Sequence, residues 1–513
     1  MSKKNKKMQK KFYITTPIYY VNDKPHIGHA YTTVAADVLA RYRRMIGDKV
    51  FFLTGTDEHG AKIEEKAKKA RKKPKEFTDE IAAKFQFSWG ELNISNDNFI
   101  RTTDKNHIRA VTKALKFMRT KGDIYKGVHK GLYCRECEQF KTERDLVDGL
   151  CPEHKITPEK VEEESYMFKL AKYKDQLLEK IKNNELQILP KERKNEIISF
   201  YENEGLNDIS FSRKNVGWGI PVPWDKSHTA YVWADAFLNY LTGIGWNGES
   251  ESPPDKGGEG GFWPADVHLM SKDILRVHAT IWPAMLLSLG LPLPKTLFIH
   301  GFFKIEGQKM SKSLGNVIAP EDLVRRYGVD AARYLLMSAT IFGRDGDISQ
   351  DKFDEKFNAD LANGIGNLVA RSITLASKIN SLKSLSGGQE LKVKESWLEY
   401  EKALYEFKID TALDDINRMM KISDNYITTN KPWELIKKDK DKAADILYNI
   451  LETIRHISWM LLPFMPETAE KIWDSLGLNP ADELKKDFKK AIKWGGLPID
   501  TKVNKGEALF PRL

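Results

Sequence analysis

Pro25-His26-Ile27-Gly28-His29 constrains this chain more than any other stretch. Before it, Phe12 to Thr16 (FYITT) is aromatic and β-branched, which favours a short buried strand. After it, apolar residues fall at Ile27, Tyr31, Val34, Val38, Tyr42 and Met45, the spacing of one helix face. Pro17 to Lys24 then reads as the strand-to-helix connection, with His26 and His29 on the first helical turn. Such a turn has unsatisfied N–H groups and the positive end of the helix dipole, so it suits an anion. Gly28 lets a ligand come close to the backbone. Taken alone, the pattern equally describes a helix start that happens to carry two histidines.

A second signal lies far along the chain. Lys309-Met310-Ser311-Lys312-Ser313, followed by Leu314-Gly315-Asn316, puts two lysines and two hydroxyls in a polar loop after an apolar strand, Thr296 to Ile299. By itself this is a solvated basic loop. Between the two motifs the pattern is α/β. Val50 to Leu53 reads as a second strand running into Thr54-Gly55-Thr56-Asp57-Glu58-His59-Gly60. Strand, helix, strand opens a doubly wound nucleotide-binding fold of the Rossmann type, whose ligands lie beyond the carboxyl ends of the strands. Asp57 falls on that edge, where a turn or cap role is the plainer reading.

Three cysteines among 513 residues are too few for a disulfide framework. They cluster. Cys134-x-x-Cys137 and Cys151-Pro152-Glu153-His154 flank a turn at Asp148-Gly149. Two facing knuckles of this spacing offer a tetrahedral Cys₃His set for one structural zinc, with His154 the least secure ligand. The alternative is three buried cysteines and a surface histidine. The surrounding stretch, Tyr125 to Phe140, is short, mixed and turn-rich, whereas Phe77 to Lys121 has a helical pattern. Ser165 to Leu170 suggests a strand and Tyr173 to Asn184 a helix. Glu249 to Gly261 reads as a surface loop.

Beyond the basic loop the chain is expected to be helical to its end. Helix spacing covers Leu323 to Met337, Phe353 to Leu375, Ala403 to Ile422 and Ala443 to Leu462, and Pro466 opens a further helix. This suits a separate α-helical bundle. Within it, Asn358 to Arg371 is unusually polar, and Lys431-Pro432-Trp433 starts a helix with an exposed indole. The expected fold class is therefore α/β, a doubly wound catalytic domain with an inserted zinc-knuckle module, followed by a helical bundle. The expected division is a disordered basic start at 1–10, first catalytic half at 11–121, insert at 122–224, second catalytic half at 225–300, loop and linking helices at 301–357, and bundle at 358–513.

Lys and Arg total 82 against 72 Asp and Glu, a net +10 that is compatible with a polyanionic partner. No apolar run is long enough to span a bilayer, and MSKKNKKMQK lacks the apolar core of a signal peptide. A cytoplasmic location without membrane attachment is expected.

The two motifs, in this order, resemble the HIGH and KMSKS signatures of class I aminoacyl-tRNA synthetases. The stretches TTPIYYVNDKPHIGHAYTT, FFLTGTDEHG, YVWADAFLNY, KDILRVHATIWPAML, HGFFKIEGQKMSKSLGNVI and NGIGNLVAR resemble the bacterial methionyl-tRNA synthetases from Phe12 to Leu513. The resemblance implies a two-step ligation of L-methionine to its tRNA, initiator and elongator, through methionyl-adenylate. It implies catalytic roles for His26, His29, Lys309 and Lys312. ATP, accompanied by Mg²⁺, would meet Asn22, Gly28, Lys272, Asp273, His300, Gly301 and Lys312. Methionine would meet Ile18, Tyr20, Asp57, Trp233, Ala236, Tyr240, Ile274 and His278. Zinc would take Cys134, Cys137, Cys151 and His154, and the anticodon Asn367, Arg371 and Trp433.

The chemistry agrees with these roles. Asp57 suits an α-ammonium. An aromatic wall suits a thioether, each sulfur–ring contact being worth roughly 0.3–1.5 kcal/mol. Polar hydrogens of Tyr20 or His278 would reach the sulfur. Two positions depart from the common pattern, Ser271 before Lys272-Asp273 and Val277 beside His278. A synthetase for valine, isoleucine or leucine would carry a larger insert. One for cysteine would need zinc in the active site. A noncatalytic RNA-binding protein with a zinc knuckle would not need both motifs and the aromatic pocket. A monomer is expected.

Overall fold

In the computed structural model, six parallel strands form the central sheet. They are β1 (Lys11–Tyr20), β2 (Lys49–Asp57), β3 (Asn98–Arg101), β4 (Gln187–Leu189), β5 (Val267–Ser271) and β6 (Thr296–His300), in the spatial order β3-β2-β1-β5-β6-β4. The structure describes residues 9–513 except 137–138, 142, 153, 215, 249–258, 306, 311–316, 380 and 385–387. Most of the expected basic start, most of the 249–261 loop, Cys137 and Ser311 to Asn316 therefore lie outside the described residues.

Strand order reverses at β1, which pairs with β2 on one side and β5 on the other. In such sheets the crevice at the carboxyl ends of the strands flanking this point takes the ligand. Successive β1 residues serve opposite cores: Phe12 and Ile14 face the side covered by α1 (Ile27–Met45), and Tyr13 faces the other. The strand outruns its expected end at Thr16. It shifts register between Thr15 and Ile18, around Pro17, and resumes as far as Tyr20 opposite Asp57. A proline has no N–H for the ladder, so a local bulge accommodates it. Gly55 is required where β2 meets β3, since a Cβ there would lie 2.0 Å from the Ile100 carbonyl oxygen.

Other expectations are corrected. Phe77 to Lys121 is two helices, Pro74–Glu91 and Lys105–Thr120, with β3 between them. The stretch after Tyr125 is no turn-rich segment but a long strand, Ile124–Cys134, paired antiparallel with Glu159–Phe168. Part of the span 122–224 also belongs to the main sheet, where β4 forms its edge against β6.

Beyond the basic loop, a short strand (Gly346–Ile348) interrupts the helical run and pairs with Phe303–Ile305. Gly328, at φ 81°, divides the expected Leu323–Met337 helix into Pro320–Tyr327 and a linking helix, Val329–Ser338. Phe407, at φ 60°, lies in the break between Glu390–Tyr405 and Ile409–Asn430. The polar stretch 357–366 is wound as a π-helix, with Gly364 off the helical region. The bundle is completed by Asn367–Ala376, Pro432–Lys438, Lys440–Leu461 and Pro466–Ser475. It shares a continuous apolar core with α1. Among the described residues, no helix is long and apolar enough to cross a membrane.

Candidate active site

The start of α1 is capped by its own histidines. His26 is extended, and its Nδ1 accepts the Gly28 N–H at 3.1 Å. His29 Nδ1 in turn accepts the His26 N–H at 3.2 Å. This is a capping box built from two imidazoles, which satisfies two helix-end donors reciprocally. The rings stack with centroids 3.8 Å apart. Burial pushes His26 down to about 4, and burial together with His26 pushes His29 well below its ordinary value. Both rings are therefore neutral near pH 7. Because each Nδ1 accepts, the proton of each neutral ring sits on Nε2. The pair offers two N–H donors and no charge.

Described residues on either side of 311–316 return to this turn. The Ile27 N–H donates to the Ile318 carbonyl at 3.0 Å, just past the loop. On its near side, Met310 Cε would stand 3.3 Å from a Cβ placed on Gly28. That Cβ would also lie 2.9 Å from the His26 ring, so glycine is what the packing admits. Lys309 has its backbone in the Gln308–Lys309 strand; its side chain, and Lys312 altogether, fall outside what the structure describes.

One cavity of about 400 Å³ opens beside the histidines, at the carboxyl ends of β1, β2, β5 and β6. All eight positions expected to hold methionine line it: Ile18, Tyr20, Asp57, Trp233, Ala236, Tyr240, Ile274 and His278. So do Asn22, His26, Gly28, His29, Asp273, His300 and Gly301. Lys272 does not line it; its ammonium binds both carboxylate oxygens of Asp345, at 2.8 and 2.7 Å. His300 is engaged at both nitrogens. Its Nδ1–H donates to the Gly301 carbonyl at 2.7 Å, and Nε2 accepts from Thr32 of α1 at 2.7 Å. A direct ATP contact from His300 would have to break one of these bonds.

The wall expected to hold methionine is similarly locked. His278 Nδ1–H donates to the Ile274 carbonyl at 2.9 Å, which leaves Nε2 to accept the Tyr240 hydroxyl at 2.8 Å. Burial pushes this histidine down to about 4. The neutral ring has no N–H left for a sulfur, contrary to the expectation for His278. The departures from the common pattern are accommodated locally: Ser271 donates to Asp273, and Val277 packs in the second core.

Some residues in and around the cavity were not singled out from the sequence. Asp235 is buried and accepts from His59 Nδ1 at 2.6 Å and His107 Nε2 at 2.7 Å. Burial opposes its charge, yet the two histidines hold it at about 2. The histidine in TDEHG was the available signal. Asn239 also lines the cavity. Its amide donates to the Ala236 carbonyl at 2.7 Å, while its Oδ1 is buried without a partner among the described residues. From the insert come Glu136 and also His154, which was expected only as a zinc ligand, with the Lys62 ammonium reaching the Glu136 carboxylate at 2.5 Å.

Cys134 and Cys151 are buried, and with His154 their donor atoms lie within 4.8 Å of one another. Cys151 Sγ to His154 Nδ1 is 4.0 Å. Two sulfurs and an imidazole are donors of the kind a tetrahedral zinc takes; ligand bonds of about 2.0–2.3 Å would draw them in from these separations to somewhat under about 4 Å.

In the bundle, Asn367, Arg371 and Trp433 line one shallow groove, with the Arg371 guanidinium 5.1 Å from the Trp433 ring centre. Trp433 is 37% exposed, enough to offer a ring edge or face to a ligand.

Comparison with known proteins agrees. The profile of the family described as tRNA synthetases class I (M) matches residues 12–160 and 154–373, and that of the anticodon binding domain of methionyl tRNA ligase matches 388–513. The chain is 43% identical to the methionine–tRNA ligase of Caldanaerobacter subterraneus subsp. tengcongensis over 99% of its own length and 79% of that protein. Identity to the enzyme of Thermotoga maritima is also 43%, over 98% of this chain and 80% of the relative. The structure of Mycobacterium tuberculosis methionyl-tRNA synthetase in complex with methionyl-adenylate superposes with a TM-score of 0.91 at 36% identity, covering 98% of this chain and all of that one. From its two motifs to its helical bundle, the chain belongs to the methionine–tRNA ligases of the class I aminoacyl-tRNA synthetases.

Proposed function

We propose that the cavity beside α1 holds methionine and ATP together, and that the residues lining it divide the work of the ligation. The enzyme joins L-methionine to tRNA at the expense of ATP through methionyl-adenylate. In the first step a methionine carboxylate oxygen bonds to the α-phosphorus. The bond from that phosphorus to the bridging oxygen breaks, and pyrophosphate leaves with the electron pair. The carboxylate is already ionised, so no general base is required. Positioning and charge stabilisation carry the rate.

Asp57 takes the α-ammonium, and Ile18, Tyr20, Trp233, Ala236, Tyr240, Ile274 and His278 enclose the side chain. His26 and His29 donate Nε2–H to the phosphates, as neutral donors rather than cations. Asn22, Gly28, Asp273 and Gly301 border the nucleotide, and Lys309 and Lys312 clamp the departing pyrophosphate. Mg²⁺ accompanies ATP as part of the substrate complex. Zinc on Cys134, Cys137, Cys151 and His154 supplies a cross-link that fixes the knuckle, with no part in the reaction.

In the second step the 2′-hydroxyl of the terminal adenosine attacks the adenylate carbonyl and AMP leaves. Trp433 stacks on an anticodon base, and Asn367 and Arg371 read base edges. The tRNA partners are the initiator and elongator for methionine, and the chain acts as a cytoplasmic monomer.

The observation that supports this reading most is the Ile27–Ile318 backbone bond, which ties the start of α1 to the chain just past the lysine motif, beside a cavity that Met310 also lines. ATP–pyrophosphate exchange tests it. Exchange should depend on methionine. Exchange with valine, or with no amino acid, would overturn it.

A further inference from the structure

The guanidinium of Arg333 is fully buried and serves three separate parts of the chain. It lies on the linking helix Val329–Ser338. Its Nε donates to the Phe464 carbonyl at 2.8 Å and Nη2 to the Pro463 carbonyl at 3.0 Å. These carbonyls belong to the turn between the two bundle helices Lys440–Leu461 and Pro466–Ser475. Nη1 donates to the Leu92 carbonyl at 3.0 Å. Nη2 also meets Asp37 Oδ2 at 2.7 Å.

Asp37 is equally buried, and it sits in α1, the helix whose first turn carries His26 and His29. Its carboxylate is saturated. Oδ1 accepts the N–H and hydroxyl of Ser95, at 2.7 and 2.6 Å, and Oδ2 accepts Arg41 at 2.7 Å beside Arg333. One turn before Arg333, Asp330 accepts the Thr468 N–H at 2.6 Å and so caps the Pro466–Ser475 helix from outside. Two residues three apart on one helix face thus grip both sides of a bundle turn. One of them also grips the phosphate-binding helix.

We infer that Arg333 is a positioning residue for the ATP half of the site: through Asp37 it braces α1 against the anticodon-binding bundle. This rests on the placement of the triphosphate at the start of α1. The geometry explains why arginine is needed. A planar fork can reach three carbonyls and a carboxylate at once, whereas a lysine ammonium is one point with three donors. Five of the eight methionine positions are hung elsewhere, Trp233, Ala236 and Tyr240 on residues 232–240 and Ile274 and His278 at the start of the Leu275–Leu289 helix, while Ile18, Tyr20 and Asp57 sit on the ends of β1 and β2. A loosened brace should therefore disturb ATP and spare methionine, a split that general destabilisation would not produce.

The test measures the KM for ATP in methionine-dependent exchange and, without ATP, the Kd for methionine by tryptophan fluorescence, using the full chain. The variants are Arg333→Lys, Asp37→Asn and the double. Asp37→Asn leaves the three carbonyl partners of Arg333 in place and weakens the link to α1, together with the Asp37 bonds to Arg41 and Ser95. Both single variants should raise the ATP constant about tenfold or more, since small misplacements of a reacting group are costly in rate. Methionine binding should stay within about twofold, and the double should be no worse than the worse single, because both cut one link. If Arg333→Lys fails to fold, Ser95→Ala removes a hydrogen bond from the same carboxylate and should give the same split in smaller measure. ATP and methionine constants that move together, or neither moving, would overturn the inference. His29→Asn separates the two failures. If it raises the ATP constant while the Arg333 and Asp37 variants do not, the brace alone is wrong. If it leaves the ATP constant unchanged, the placement of ATP fails and the brace with it.

Discussion

The N–H of Ile27 donates to the carbonyl of Ile318 at 3.0 Å. One is the second residue of a histidine motif near the amino end, the other lies just past a lysine loop near the middle of the chain. The bond satisfies one of the open donors at the start of α1. It also holds Ile318 at the turn where His26 and His29 present their Nε2–H groups.

His29→Asn should lower the rate of adenylate formation about 10²–10³-fold, the usual loss of one donor aimed at developing charge. Methionine affinity should be unchanged, because the proposed methionine wall does not involve His29. Single-turnover pyrophosphate release against equilibrium methionine binding checks both parts.

Acidification should destabilise the fold between pH 6.5 and 4. His26, His278 and His300 protonate at about 4 when folded, against an ordinary value of 6.5, with burial the leading cause. Between these values the unfolded chain binds more protons, so the stability due to each neutral histidine is full above 6.5 and lost as pH falls towards 4. Each can contribute up to about 1.4 kcal/mol per pH unit in that window. Urea midpoints at pH 7, 6 and 5 should fall in that order. For the same reason, His26 and His29 should add no ascending limb near 6.5 to the exchange profile.

Trp433→Ala should leave exchange intact and lower aminoacylation. A base–aromatic stack is worth about 1–3 kcal/mol, which corresponds to roughly 5–150-fold in kcat/KM for tRNA. Unchanged aminoacylation would remove Trp433 from anticodon reading.

Cys151→Ser should abolish zinc binding, measured as one metal per chain in the unaltered protein. Because Glu136 and His154 line the cavity, the KM for methionine should rise with the loss. Full zinc content in the variant would exclude Cys151 as a ligand.

The parts legible in the sequence were those set by local chemistry. The switch from a β-branched run to helical spacing around His26 needed only neighbouring residues. What stayed hidden depended on distant partners. Asn98–Arg101 is a strand of only four residues with polar ends, and pairing with β2 makes it one. Gly127 and Gly131 broke the pattern of Ile124–Cys134, which its ladder with Glu159–Phe168 restores. Arg333 reads as one polar residue on an apolar helix until Asp37 and the Pro463–Phe464 turn are brought to it. The proton positions on His26, His29 and His278 likewise follow from partners that no local pattern names.

The central claim is that the first turn of α1 and the lysine loop act on one triphosphate. A double-mutant cycle of His29→Asn and Lys312→Ala in methionine-dependent exchange tests it most directly. Groups that stabilise the same transition state are strongly non-additive, so the double variant should lose far less than the product of the two single losses. A double loss equal to that product would mean that the two residues act apart, and would contradict the account.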